Sequence, residues 1–353
     1  GRHRRIDALD DIEILRLPTI VPLRGRRRLR ALSDLNFALQ GLARSGTLQE
    51  TDAVLSISPG NPWSALVGTA IARGSTRHIC LVHDVQTGLA AGGSAGTLLE
   101  APIRLSERWS LNTADAVMAL SSEMTDSLRS IGVRRPLDVL PLWSTIDPPS
   151  QYPVLEPEVQ YSGNFGAKQG VEALPVVVSG LAAAGIPMRV RGSGPRFESL
   201  LPELWRSSNG LLEVEDLVPP SMLPAALGRS PIHLVLQAPG TGGSVMPSKV
   251  LNALASGATV IAMADRESTV DRLARHTDGL HTVPPSEPGL MVQAVRSLMS
   301  EARDPSTRQR IASAAQQAFS RAAVLTRLEV ALQTDEPPHD CGVPSDEGTG
   351  PRG

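Results

Sequence analysis

Of the 34 lysine and arginine residues in the chain, only Lys168 and Lys249 are lysine. Lys168 lies in YSGNFGAKQG (161–170) and Lys249 in VMPSKVLNALASG (245–257). Each follows a short apolar run and a glycine-containing turn, and each precedes a helical pattern. A turn of that kind frees backbone N–H groups, and a helix start adds the positive end of its dipole. An ammonium there suits a phosphate-bearing ligand, because lysine is a compact point charge where room is tight. Two such turns with two ammonium groups suit a diphosphate. Taken singly, each turn also fits a plain strand–helix connection with a solvated lysine.

The neighbouring residues extend the pattern. Around Lys168, Gly163, Asn164 and Gly166 form a turn whose glycines let a backbone approach a ligand closely. Ahead of Lys249, APGTGGSV (238–245) contributes Gly242, Gly243, Ser244 and Val245. Pro247 suits a first helical turn. Val250, Leu251, Leu254 and Ala255 make an apolar stripe. Lys249 and Asn252, three apart, share the other face, and Gly257 suits a left-handed stop. A third turn, VRGSGP (190–195), has a G-x-G without the third glycine of a dinucleotide fingerprint and reads as lining the same cleft. In the first half, LVHDVQTG (81–88) puts His83 and Asp84 at a strand end. There they serve either a cleft, or a structural hydrogen bond and a cap. RGRRRLR (24–30) holds five arginines in seven residues. It fits a solvated helix start, or contact with anionic lipid headgroups or an acidic acceptor.

These residues need elements to hold them. Apolar runs at 53–58, 78–84, 114–121 and 137–142 read as strands, with helical patterns at 62–73, 100–113 and 122–131 between them. The proline-rich stretch 144–158 reads as a linker. The strand–helix rhythm then restarts and runs to a long amphipathic helix over 306–333. The polar tail reads as disordered. This gives a first α/β domain over 1–146, a linker at 147–158, a second α/β domain over 159–333 and a tail at 334–353. Both domains read as parallel sheets covered by helices, facing each other across a cleft.

Composition narrows the class. At 353 residues, 41% of them hydrophobic, the chain has enough for two cores. A net charge of −2 predicts no strong attraction to nucleic acid. Cys80 and Cys341 form neither a disulfide framework nor a metal pattern, and no D-x-D cluster sits in a suitable loop, so no metal cofactor is expected. No apolar run reaches the length of a membrane span, and the start lacks a signal-peptide core. The expected location is the cytoplasm.

Several motifs together resemble a known family. They are HDVQTG, WSLNTADAVMALSSEMTDSLRSIGV, LPLWSTID, YSGNFGAKQG, VRGSGP, VMPSKVLNALASGATVIA and GLHTVPP. In this order and spacing, over residues 50 to 325, the chain resembles the retaining, nucleotide-sugar-dependent glycosyltransferases of the GT-B fold, of the group 1 or family 4 type. The colanic-acid-type enzymes of exopolysaccharide synthesis are the subgroup it looks most like. The resemblance implies two Rossmann-like domains, the second holding the donor. It maps donor-diphosphate contacts to Gly242, Gly243, Ser244 and Lys168, a ribose contact to Asn252, and the base to 217–223, with Val218 and Leu223 against it. It maps His83 to the donor sugar near the reacting carbon. It implies a glycan or lipid-linked acceptor, with peripheral contact at the inner face of an anionic membrane. Two departures stand out. Many relatives carry glutamates at the places of Ser244 and Asn252. The family also opens with a strand and Gly-rich loop ahead of anything found here, so the N-terminal sheet is expected to be incomplete. Other functions remain open at this point: a sugar-nucleotide-binding protein without catalysis, a GT-B epimerase, or a dinucleotide oxidoreductase. The oxidoreductase has no G-x-G-x-x-G opening a domain.

Overall fold

The computed structural model describes residues 6–9, 12–17, 27–46, 51–58, 63–85, 100–166, 169–241 and 248–334. The chain divides into two compact units. One runs to Ala119 and adds Thr125–Val139 and Glu329–Pro337; the other takes Leu120–Met124 and Leu140–Leu328.

In the first unit, β1 (Ile6–Leu9) and β2 (Ile12–Leu15) pair antiparallel and form a separate two-stranded sheet. α1 (Arg27–Ser45) follows. Next come β3 (Ala53–Ser58), α2 (Ser64–Ile71), β4 (Arg77–Val82), α3 (Glu100–Leu111), β5 (Ala116–Ala119), α4 (Ser122–Ser130) and β6 (Leu137–Val139). β3, β4, β5 and β6 lie in that order, all parallel. The β4 run RHICLV is buried from His78 onward, as a strand covered on both faces must be. β3 alternates instead: Val54, Ser56 and Ser58 are buried while Leu55 and Ile57 are exposed. His78 is a buried polar anchor. Its Nε2 lies 2.8 Å from Ser56 Oγ and its Nδ1 3.0 Å from Thr69 Oγ1. Burial pushes its pKa down to about 4, against the attraction of Asp115.

The second unit holds β7 (Val159–Asn164), α5 (Leu174–Ala183), β8 (Met188–Ser193), α6 (Phe197–Ser207), β9 (Leu212–Glu215), α7 (Leu223–Leu227) and β10 (Ile232–Leu236). It continues with α8 (Lys249–Ala255), β11 (Thr259–Met263), α9 (Thr269–Ala274), β12 (Leu280–Val283), α10 (Pro288–Ala302), α11 (Pro305–Ala318) and α12 (Arg321–Gln333), whose residues from Glu329 on belong to the first unit. The parallel six-stranded sheet has the order β12-β11-β10-β7-β8-β9. From β7 the chain builds outward through β8 and β9, then returns to β7's other edge for β10. The direction of winding therefore reverses between β7 and β10. In open α/β sheets, ligands bind outside the carboxyl ends of the strands at such a reversal.

One sheet face is apolar: Val159, Tyr161, Val190, Leu234, Leu236 and Ile261 share a core with Val177, Val178 and Leu181 of α5 and Met291 and Val295 of α10. On the other face, Val235 of β10 and Val260 and Ala262 of β11 share a second core with Val250, Leu251 and Leu254 of α8, while the alternate positions of β8 carry charge. Arg189 is paired with Glu158 at 2.7 Å, with Glu213 at 2.9 Å and with Glu215, and buried Arg191 is also paired with Glu215.

The single long helix expected over 306–333 is two helices. Phe319 leaves helical geometry (φ −118°, ψ 41°) and is buried, which ends α11. The Ser320 hydroxyl accepts from Ala323 N at 3.4 Å and its carbonyl from Val324 N at 3.1 Å, so Ser320 starts α12. The tail expected to be disordered lies outside the described residues from 335 on.

Candidate functional site

Lys249 opens α8, directly after the β10 turn, and its side chain reaches across to β7. The side chain as a whole is half-buried, but its Nζ is shut off from solvent and has no hydrogen-bond partner among the described residues. It sits 5.1 Å from the centroid of the Tyr161 ring. A β-carbon added to Gly163 would lie 2.4 Å from Nζ. Glycine at 163 therefore makes room for this ammonium. Loss of water is the one resolved cause that acts on it, and it lowers the pKa from 10.5 to about 8. The ring face of Tyr161 offers a weak cation–π contact in place of a counter-ion. Tyr161 is itself fixed, its hydroxyl donating to Asn164 O at 3.0 Å. Burial raises the phenol pKa, so it stays protonated.

The turn after β7 is held from two sides. Phe165 N donates to Ser193 O at 2.7 Å, and Arg196 N donates to Phe165 O at 3.2 Å. The Phe165 ring packs edge-on against Tyr161 and Phe197. Gly192 is the Cα partner of Gly163, and a β-carbon on it would meet Gly163 O at 2.2 Å. Gly194 (φ +137°) lies against Asn164 Oδ1 and Phe165 N in the same way. The G-x-G of 192–194 thus exists for close backbone approach to the β7 turn.

The other expected residues divide. Asn252 does not join the lysine: its Oδ1 accepts from Thr145 N at 2.9 Å and Ser144 Oγ at 3.2 Å, and its Nδ2 donates to Thr145 Oγ1 at 3.0 Å. Helical spacing puts Lys249 and Asn252 on one face, but their side chains serve different partners. Leu223 starts α7 and packs on Ile146, Leu227 and Ala255. Val218 is half-buried in the segment after β9, Asn164 is exposed and Gly166 half-buried. After β10 the turn is fixed as far as Thr241: Gly240 N donates to Asp265 Oδ2 at 2.7 Å, and Thr241 Oγ1 to Ala238 O at 2.7 Å. Gly242, Gly243, Ser244, Val245, Pro247 and Lys168 lie outside the described residues. In the first unit, His83 is half-buried where β4 ends, and its N–H donates to Ser58 O at 3.2 Å. Burial lowers its imidazole pKa, against the opposing pull of Asp84. Among the described residues no cluster of His, Cys, Asp and Glu could hold a metal ion.

The sequence reading missed Tyr161. The signal was there, since tyrosine occurs twice in the chain and Tyr161 stands two residues before Gly163, on the same strand face.

Comparisons with known proteins fit this geometry. Residues 1–143 match the glycosyl transferase 4-like domain. Over 234 residues the chain is 26% identical to the putative colanic acid biosynthesis glycosyl transferase WcaI of Escherichia coli K12, covering 60% of this chain and 56% of that protein. The chain thus spans just over half the length of this curated relative. The chain resembles the group 1 glycosyltransferases of colanic-acid type. Among solved structures, sucrose-phosphate synthase from Thermosynechococcus elongatus superimposes with a TM-score of 0.75 at 15% identity, over 94% of this chain and 85% of that one. TarM gives 0.67 at 10% identity, over 85% of this chain and 58% of its own. The pneumococcal O-GlcNAc transferase GtfA, solved with UDP and GlcNAc, gives 0.60 at 11%, over 84% and 59%. At these identities the likeness fixes the fold alone, which is GT-B.

Proposed function

We propose that the chain transfers a sugar, with retention, from a nucleoside-diphosphate sugar to an acceptor hydroxyl in exopolysaccharide or cell-envelope glycan synthesis. The observation that carries this reading is the Lys249 ammonium, without a hydrogen-bond partner among the described residues, facing Gly163 at the winding reversal of the second unit's sheet. A diphosphate is a counter-ion that would complete it. Lys168 and the 242–245 backbone join Lys249 on the diphosphate and stabilise the charge that grows as it leaves. The bond from the anomeric carbon to the diphosphate oxygen breaks, and its electron pair stays with the diphosphate. The acceptor oxygen bonds to the same face of that carbon, and its proton leaves with the departing phosphate. His83 positions the donor sugar, Asn252 the ribose, and Val218 and Leu223 the base. No step is assigned to a metal. The acceptor is a glycan or a lipid-linked glycan, and the site of action is the cytoplasmic side of the membrane.

The test is Lys168→Ala in a donor-hydrolysis and transfer assay: turnover should disappear, and unchanged turnover would overturn the assignment. One observation favours a second reading, binding without catalysis. The family resemblance puts Asn252 where many relatives have a carboxylate, and its amide is already bonded to Ser144 and Thr145. Calorimetric donor binding without turnover across acceptors would decide for it.

A further inference from the structure

A groove of about 480 Å³ lies in the second unit between α11 and the proline-rich stretch ahead of β7. One wall is a stripe of α11: Ser306, Gln309, Ser313 and Gln316, spaced three, four and three. The solvent face of a surface helix ordinarily carries charge. Here it carries neutral amides and hydroxyls. The two arginines of α11 are engaged elsewhere, since Arg308 is buried and Arg310 is paired with Asp278 and Glu301. Gln309, Ser313 and Gln316 are exposed, and their side chains make no hydrogen bond among the described residues.

The other wall is Pro148, Pro149, Gln151 and Tyr152. The Tyr152 ring is held in place from behind. The Arg308 guanidinium lies 5.6 Å from its centroid and donates to Pro153 O at 2.9 Å and to Gly228 O at 3.0 Å. A β-carbon on Gly257 would meet the ring at 2.7 Å, so glycine there makes room for it. Burial raises the phenol pKa against the pull of Arg308, so the hydroxyl stays a donor. Gly228 and Gly257 stand just before β10 and β11, which puts the groove at the amino ends of the strands. Lys249 follows β10 at the carboxyl end, so the two sites are separate.

The lining tells what fits. Among the described residues none that lines the groove is charged, so an ionic ligand would lose water there without gaining a counter-ion. A protein interface is anchored on a cluster of large apolar and aromatic side chains, and Tyr152 stands here without such neighbours. A neutral polyhydroxy chain matches both features. Each of its hydroxyls donates and accepts, as a primary amide and a serine hydroxyl also do. The C–H faces of a sugar ring suit the apolar body of Tyr152 and the two prolines.

We propose that this groove binds a neutral oligosaccharide, held by Gln309, Ser313 and Gln316 on one side and Tyr152 on the other. The site is non-catalytic and independent of the sugar-transfer reading.

The test is calorimetric titration of the full chain with cellohexaose, maltohexaose and mannohexaose, and with hexagalacturonate as the charged control. A neutral chain should bind and the charged one should not. Gln309→Ala with Gln316→Ala should weaken that binding about tenfold, the loss expected for two hydrogen bonds. Circular dichroism and a UDP titration should stay unchanged in this variant, since both side chains are exposed and lie at the other end of the sheet from Lys249. Lys249→Met should leave oligosaccharide binding intact. The proposal fails if none of the neutral chains binds, if hexagalacturonate binds as tightly, or if the double variant binds as the wild type does. It fails equally if Lys249→Met abolishes the binding, which would place the oligosaccharide in the lysine site. A free chain that is a dimer, split by the double variant, would also overturn it and assign the groove to a second copy.

Discussion

Replacing Lys249 by Met separates the cost of the site from its use. Burial lowers the ammonium pKa from 10.5 to about 8, and each pKa unit is worth about 1.4 kcal/mol. At pH 7, below both values, the charged form therefore costs the folded unit on the order of 3 kcal/mol. The Tyr161 ring returns about 1 kcal/mol of this. Met fills a similar volume without charge, so Lys249→Met should stabilise the second unit by about 2 kcal/mol at pH 7. In a unit of this size that raises Tm by about 4–8 °C. The sign can be checked with pH. Between pH 8 and 10.5 the unfolded lysine holds its proton more firmly than the folded one, so wild-type stability rises with pH through that window. The variant lacks this rise, and its advantage should be gone at pH 10.5. Calorimetric titration with UDP, GDP and ADP on the same samples should show binding weakened by more than about tenfold, the loss expected for a buried charge partner. A variant that is less stable at pH 7, keeps its advantage at pH 10.5, or binds the diphosphates like the wild type would refute the reasoning.

Three further outcomes follow from the geometry. Gly192→Ala forces a β-carbon against the Gly163 carbonyl on the adjacent strand; it should cost about 2–3 kcal/mol, read from the urea midpoint. Glu215→Ala strips buried Arg191 of its carboxylate and should cost about 3–5 kcal/mol. The control Glu213→Ala, on a largely exposed partner, should stay within about 1 kcal/mol. His78 has a folded-state pKa of about 4 against the usual 6.5. The stability from its neutral form is fully present above pH 6.5 and lost as pH falls through 4, about 3 kcal/mol in all. His78→Gln should flatten that acid limb in thermal melts of the first unit.

Much of the second unit was legible in the residues. VQYSGN, MRVRGS, IHLVL and TVIAM are strands because a parallel sheet covered on both faces needs continuous apolar or close-packed runs. The scarcity of lysine also pointed to the turns after β7 and β10. The break at Phe319 was hidden, because the apolar period passes through it and only burial of that ring shows why the helix stops. The contacts of Asn252 were hidden for a related reason. Its partner Thr145 is 107 residues away, and local spacing carries no information about so distant a contact.

The sequence by itself determined the class: which segments are strands and helices, where the glycines allow tight turns, and that lysine occurs at only two places, each beside a glycine-containing turn. These are local properties, set by side-chain period and backbone sterics. Tertiary structure alone decided that β10 returns to the free edge of β7, so that the turn of one strand faces the turn of another. It put Tyr161 beneath the Lys249 ammonium and Gly163 beside it, and it laid the Tyr152 ring against Gly257 and Arg308. Strand order and solvent exposure depend on every other segment of the chain, so no window of residues contains them.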